Sequence, residues 1–501
     1  MASLPELSPC SRDDSGRVLW PRVAASYGAV LIASLVIMGC TVGPDYVAPS
    51  QALPTTFAEQ PKAPQAGGSG NKDEAWWEVF DDPVLNQLIR DASRDAPDIA
   101  VAEARVREAR ALRGITEAQA YPSADAGAEY DRTHGSANVP IGVAPGGLGP
   151  GADGNLWQLG FDASWELDIF GGRRRAVESA GATYEAELAD LEDVKLTLFA
   201  EIARNYIELR SVQQQISVAQ DSLAMQQDML TLTASQFDAG LATHSDVLRA
   251  QAAVSDSAAA IAPLMVSERA AMYRIGALIG TWPEALPARL HDSRAIPLLI
   301  HGIPTGLPSD LLQRRPDIRA AERRLAASNA RIGVAQADLY PHFFLTGAAG
   351  LQSLNASSFL SAPSRYLSVG PSVDWLIFDA GQVRFQIRAE QARTDQASAA
   401  YQQVVLGALR DVEIALVSYA RSEVEREQLA NEARSDEEAL HLATQLYRQG
   451  LVDFLPVLDA EQTWYLAKDK LTTSQRDTAL ASVSLYKALG GGWSVVPVSN
   501  R

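Results

Sequence analysis

Most of the chain is written twice, and the repeat limits what it can fold into. Residues 97–122 read PDIAVAEARVREARALRGITEAQAYP and residues 316–341 read PDIRAAERRLAASNARIGVAQADLYP. At a constant offset of 219, Pro97-Asp98 match Pro316-Asp317, Glu103 and Arg105 match Glu322 and Arg324, and Gly114 matches Gly333. Tyr121-Pro122 match Tyr340-Pro341 at the same offset. Further on, Phe237, Gly240, Leu241, Val247, Leu248 and Ala250 match Tyr447, Gly450, Leu451, Val457, Leu458 and Ala460 at an offset of 210. Two halves of about 200 residues therefore share one fold. A pseudo-symmetric object of this kind points to architecture rather than to a single catalytic cleft.

Within each half the hydrophobic period changes. The Ala/Glu/Arg-rich segment 97–120 carries no glycine before Gly114 and reads as a helix ending at Tyr121-Pro122. Then Trp157, Leu159, Phe161, Ala163, Trp165 and Leu167 alternate with Gln158, Gly160, Asp162, Ser164, Glu166 and Asp168. A period of two with one apolar face is a strand. Residues 124–130 alternate more weakly, and the Gly/Pro-rich stretch 135–155 reads as the loop of a hairpin. The second half repeats the hairpin over about 342–378. There Leu367, Val369, Val373, Trp375 and Ile377 alternate with Ser368, Gly370, Ser372, Asp374 and Leu376.

Long helices follow each hairpin. Proline is absent from 151–262 and from 372–455, and Ile202, Leu209, Ile216, Leu223 and Leu230 recur every seven residues. That is a coiled-coil seam, predicting a helix of roughly 65 residues and on the order of 100 Å. Each such helix stops at a glycine turn, at Gly240-Leu241 and Gly450-Leu451, and a second long helix returns.

One chain thus offers four strands. Four strands cannot close a barrel, and an open edge in lipid leaves backbone groups unpaired. Three chains would give twelve strands and a wide lumen. The face carrying Trp157, Leu159, Phe161 and Trp165, with Trp375 near a strand end, would then meet lipid, while Gln158, Asp162, Ser164 and Glu166 would line water. The expected fold class is an α+β membrane protein: a trimeric 12-strand outer-membrane β-barrel continuous with a long α-helical coiled-coil periplasmic tunnel.

The N-terminus reads as an address. Arg17 and Arg22 precede an apolar run from Ala29 to Met38 that is too short to span a bilayer comfortably, and the run ends Gly39-Cys40. This is the pattern of a bacterial lipobox, with Cys40 as the lipid-attachment residue, carrying diacylglycerol and an N-acyl chain. The leader before Arg17 includes Asp13 and Asp14 and is long for a signal peptide, so the translation start is expected further in. A net charge of −18 argues against nucleic acid, whose phosphates require Lys and Arg. The two cysteines, Cys10 and Cys40, cannot build a disulfide framework, and the six histidines show no metal-ligand spacing. No nucleophile–base spacing or phosphate loop marks an enzyme.

Five segments in order, namely CTVGPDYVAP at 40–49, WWEVFDDPVLNQLI at 76–89, WELDIFGGRRR at 165–175, RRPDIRAAERRLAASNARIGVAQADLYP at 314–341 and YRQGLVDFLPVLDAEQ at 447–462, resemble the TolC-like outer-membrane factor family. The resemblance is specifically to its lipoprotein branch, which serves tripartite RND-type efflux systems. The resemblance implies a trimeric barrel-and-tunnel fold, a passive exit duct for drugs or other small molecules, a periplasmic adaptor and an inner-membrane transporter as partners, and no cofactor. It also implies a periplasmic gate just beyond the glycine turns, at Asp459, Asp246 and Tyr447 with Asp453 nearby, and adaptor contact at Gly240, Leu241, Gly450 and Leu451. Rings of carboxylates in a narrow pore collect cations. The same aspartates are also placed to cap helix N-termini. Val452, Pro456 and Gln462 stand where acidic or basic gate partners occur in relatives, so an inter-chain salt bridge is expected to be missing.

The expected organisation is a signal peptide at 1–39, a lipidated tether at 40–75, a first repeat at 76–290 with its hairpin at about 123–168, a second repeat at 291–493, and a tail at 494–501. Two other readings stay open: a duct for protein secretion, and a structural envelope lipoprotein that conducts nothing. The polar inner face of the hairpins discriminates against the second.

Overall fold

The structure is a computed structural model that describes residues 41–50, 53–59, 73–138, 151–299 and 308–491. The leader, Cys40 and the tail at 494–501 lie outside the described residues. The chain divides into two compact units. The first gathers 115–178 and 330–390 with the described residues up to Asp45, and the second holds Tyr46–Gly114, Ser179–Asn329 and 391 onward.

The second unit is helical. Helix α1 (Pro83–Asp95) starts at Asp82, whose carboxylate accepts from the amides of Val84 and Leu85. Pro83 occupies the first helical position, where its missing N–H leaves no gap in the ladder. The other Asp82 oxygen accepts from the buried Tyr206 hydroxyl at 2.6 Å, which locks α1 to a long helix. Helices α2 (Pro97–Ala118) and α7 (Pro316–Ala337) are the two copies of the opening repeat and have equal length, 22 residues. Two pairs of long helices complete the repeat. They are α3 (Gly172–Asp238) with α4 (His244–Ile279), and α8 (Gln382–Arg448) with α9 (Phe454–Ala488). Both α3 and α8 run 67 residues, close to the length expected for α3 from its heptads and for α8 from its proline-free span. Short helices α5 (Leu286–Leu290) and α6 (Leu311–Arg314) lie between the halves.

The heptad residues Ile202 and Leu209 are fully buried in a core with Leu85, Leu88, Ile275 and Ile279. A second core gathers Ile318, Tyr401, Val405 and Val412, and it includes Phe57. Phe57 is the lone aromatic residue between Tyr46 and Trp76, in a segment expected to be a tether. Its burial, with the amide of Ala58 donating to Glu413 at 2.8 Å, shows that this stretch is docked.

The beginning of the same segment is also held. Arg175, only 5% exposed, donates to the carbonyls of Val42 and Gly43 and pairs with Asp45 at 2.6 Å. Gly43 has a φ of +95° and lies so near Gly333 that a Cβ there would meet its Cα at 2.4 Å. Residues 41–50 form no helix or strand, as an extended segment should, but Val42 to Asp45 are clamped.

The first unit is built on one antiparallel sheet in the order β1 (Ser123–His134), β2 (Asp153–Leu167), β3 (His342–Ser353), β4 (Arg365–Asp374). Each hairpin lies where the alternation places it, and β2 pairs with β3 to join the halves. The second hairpin ends sooner than expected. Asp374 faces His342, and the next residue opposite Trp375 would be Pro341, which has no N–H to continue the ladder. Trp375 through Phe378 therefore lie beyond the strand.

Candidate functional site

The register joins four separate alternations into two continuous faces, because residues directly opposite one another point the same way. One row runs Tyr130–Trp157, another Ala128–Leu159–Leu351, and another Ala126–Phe161–Ala349–Leu367. Two more run Ala124–Ala163–Gly347–Val369 and Trp165–Leu345–Pro371. From the Phe161 row to the helix end this face carries no hydroxyl or charge; Arg132, His134, Asp153, Asn155, Ser353 and Arg365 lie on it at the loop end, with Tyr130. Phe161 stands between two alanines and is 68% exposed; Leu367 and Val369 are exposed too.

Aromatic residues mark both ends of that face. At the loop end the Tyr130 and Trp157 rings lie 4.3 Å apart with Phe359 beside them. At the helix end Phe170 stacks on Tyr340 at 4.5 Å. There the two repeats use one device twice. The Trp165 indole donates to the carbonyl of Ala120, and the Trp375 indole donates to that of Leu339, each just before a Tyr-Pro pair. Eight residues separate Trp157 from Trp165, about 26 Å along a strand and on the order of 20 Å of depth once tilted, which suits an apolar band of about 25 Å.

The opposite face is polar. Its rows include Glu129–Gln158–Gln352, Ser123–Ser164–Thr346–Gly370 and Asp125–Asp162–Ala348–Ser368. Asp125 sits directly opposite Asp162, a like-charge pair that is tolerable only where water and counterions reach both. One row, Gly127–Gly160–Gly350–Tyr366, has no side chain until Tyr366, whose ring lies over the glycines. A Cβ on Gly160 would meet the Tyr366 hydroxyl at 2.5 Å. At the helix end Glu166 accepts from Arg173 at 2.6 Å and sits 2.8 Å from His342 Nδ1. Both outer edges, of β1 and β4, have no strand partner among the described residues.

The far ends of the long helices carry the other candidates. Gly240 and Gly450 take φ values of +74° and +71°, which favour glycine, with nothing near the absent Cβ. Both turns close alike. Gly240 and Gly450 donate to Phe237 and Tyr447, and Leu241 and Leu451 donate to Gln236 and Leu446, the two-bond Schellman pattern. Leu241 and Leu451 project into solvent.

The helix starts that follow differ. Thr243 and Asp246 form a closed capping box, with the Thr243 hydroxyl donating to Asp246 at 2.7 Å and the Asp246 amide donating back. The Thr243 hydroxyl and amide hold the Asp246 carboxyl below its usual range. The second copy has Asp453 as an N-cap without a side-chain bond, and Pro456 stands where Asp246 does in the first. Asp246 therefore has the capping role that its spacing allowed. Asp459 is exposed, and its carboxylate has no partner among the described residues. Tyr447 is buried within the chain, its hydroxyl 2.9 Å from Thr233 and its ring beside Phe454.

Sequence reasoning passed over Glu461, two residues past Asp459. It is 2% exposed, and its hydrogen-bonding neighbours among the described residues are the neutral Ser222, at 3.5 Å, and Gln226. Burial pushes it up to about 7, against the hydrogen bonds from Gln226 and Ser222. Its repeat counterpart at offset 210 is the exposed Gln251, and that mismatch was the available signal.

In the unfolded chain this carboxyl ionises near 4.5. Between there and about 7 the folded state binds the extra proton, so stability should fall as pH rises, by roughly 3 kcal/mol in all, and then level off. Denaturant midpoints across that range should show the decline, and Glu461→Gln should flatten it; an unchanged slope in the variant would place the effect elsewhere.

A family profile described as outer membrane efflux protein matches residues 88–281 and 307–491. Nodulation protein T of Rhizobium leguminosarum bv. viciae is 31% identical over 481 residues, covering 94% of this chain and 95% of its own length. The solvent efflux pump outer membrane protein SrpC of Pseudomonas putida is 31% identical over 482 residues, covering 93% and 98%. The solved outer-membrane channel OprN superposes with a TM-score of 0.83 at 38% identity, over 91% of this chain and all of that one.

Proposed function

This chain belongs to the outer membrane efflux protein family and is an outer-membrane efflux channel, and we propose that three copies of it close into one passive duct. The observation that carries this reading is the two-faced, open-edged sheet. A continuous apolar face needs lipid, a face bearing Asp125 opposite Asp162 needs water, and two unpaired edges need strands. Three copies give twelve strands, joining β4 of one copy to β1 of the next. The long helices then extend the duct through the periplasm, toward an adaptor and an inner-membrane transporter. The exposed Leu241 and Leu451 at the helix turns are the surface offered to the adaptor. SrpC's designation as a solvent efflux pump component supports small organic molecules as cargo. Cys40 carries the lipid anchor, and the clamp of Arg175 on Val42–Asp45 fixes the chain just after it. In this reading no residue is catalytic and no cofactor takes part.

Asp459 and its copies form the periplasmic constriction. Asp246 borders it while capping α4, Asp453 flanks it, and the packing of Tyr447 against Thr233 holds the helix ends in place. Planar-bilayer conductance tests these assignments. Asp125→Asn with Asp162→Asn should reduce the preference for cations over anions, and Asp459→Ala should weaken block by divalent cations without that loss. If Asp459→Ala leaves divalent block unchanged, the constriction lies elsewhere. If the protein inserts but passes no ions in any variant, the duct reading itself is wrong.

A further inference from the structure

Near the ends of the long helices, α3, α4 and α9 line an open groove of about 520 Å³. That is within the size range of small-molecule sites, which often lie between helices of a bundle. Its walls are unusually small: Ala219 from α3 and Ala252, Ala253 and Ala260 from α4 leave the space open. Leu458 and Leu466 add apolar surface from α9. Into this space faces Glu461, the buried carboxylate described above, which has no cationic partner among the described residues. One helical turn further along α9 is Tyr465, and Asp256 of α4 lies close enough to act on that phenol. Among the described residues that line the groove the one cation is Arg249, near the start of α4, and its charge acts on Asp246.

We propose that this groove is a binding site for a small organic cation, an alkyl- or arylalkylammonium whose charge pairs with Glu461 and whose apolar body lies along the alanine wall beside Tyr465. An ionised carboxylate in such a place is poorly tolerated alone and well tolerated with a hydrogen-bonded cation. The face of Tyr465 and the carboxylate of Asp256 add attraction for the same charge. The groups facing Glu461 fix the sign of the pH response. Helix α3 presents the neutral Ser222 and Gln226, α4 presents Arg249 and Asp256, and α9 presents Tyr465, whose phenol burial pushes up with help from Asp469 and Asp256. The ligand needs Glu461 ionised, so binding displaces its proton, and affinity should rise with pH through the neutral range.

This site stands apart from conduction and can be tested by binding alone. The full chain in lipid nanodiscs would be titrated with monodansylcadaverine, whose ammonium is charged and whose fluorescence brightens on leaving water. Its N-acetyl derivative serves as the neutral control. The wild type should bind the amine saturably, about tenfold more tightly near pH 8 than near pH 6, and the acetylated compound much less. Glu461→Gln, nearly the same size, should lose at least about tenfold in affinity near pH 8 and lose the pH dependence. Ala253→Phe should weaken binding at both pH values by filling the groove. Equal affinity for the two compounds, full binding by Glu461→Gln, or no saturable signal in the wild type would each overturn the assignment.

Discussion

Phe161→Arg should cost about 2–4 kcal/mol per copy, because it places a charge near the middle of the apolar band. Phe161 is four residues from Trp157 and four from Trp165, the aromatic residues at the two ends of that band. Its neighbours across the ladder, Ala126 and Ala349, are too short to shield a guanidinium, and the side chain is already largely exposed. From mid-band an arginine has the longest reach to either headgroup region. Ser164→Arg lies on the polar face of the same strand and should cost far less. Folding titrations into lipid vesicles would give both values. Similar penalties at the two positions would mean that the faces do not separate lipid from water.

The second large effect concerns the glycine row. A Cβ on Gly350 would lie 2.3 Å from the carbonyl oxygen of Leu159 and 2.6 Å from the Cα of Gly160, both backbone atoms of the neighbouring strand. Backbone cannot swing aside as a side chain can, so Gly350→Val should force β2 and β3 apart. Overpacking of this kind costs about 1–3 kcal/mol or more per site, and it would be repeated in every copy of the assembly. Gly370→Val is the matched control in the same sheet, with nothing within 4 Å of the added carbon. It should be neutral or slightly favourable, since valine suits a strand. The yield of folded, membrane-inserted protein at equal expression separates the two. Equal yields would show that the sheet relaxes around Gly350 and that Tyr366 is not fixed over the row.

The sheet was legible in sequence where lipid and water select opposite sides of a strand. Strand β2 alternates over six apolar residues, five of them large, and could be read directly, whereas β1 offers Ala124, Ala126 and Ala128 and was faint. The end of β4 was overestimated because Trp375 and Ile377 continue the alternation, while the interruption comes from Pro341 on the partner strand. Contacts between residues far apart in sequence were not legible at all. Nothing in the Pro- and Gly-rich residues after Cys40 indicates that Arg175 will hold Val42 and Asp45, or that Phe57 will enter a core beside Val412. At the helix ends the aspartates stood where helix caps stand, and the structure gives Asp246 that role in a box with Thr243. Tyr447 was placed near a constriction by resemblance; that its ring would lie beside Phe454 and its hydroxyl near Thr233 was not legible, because a position on a helix does not reveal which neighbour will cover it. Glu461 was visible only as a departure of the second repeat from the first.

Closing the four-stranded sheet fixes a copy number. Native mass spectrometry of the protein released from lipid nanodiscs measures that number directly. Three copies per particle is the predicted result, giving twelve strands and no free edge. A folded single copy, or a particle of two or four, would contradict the three-chain barrel.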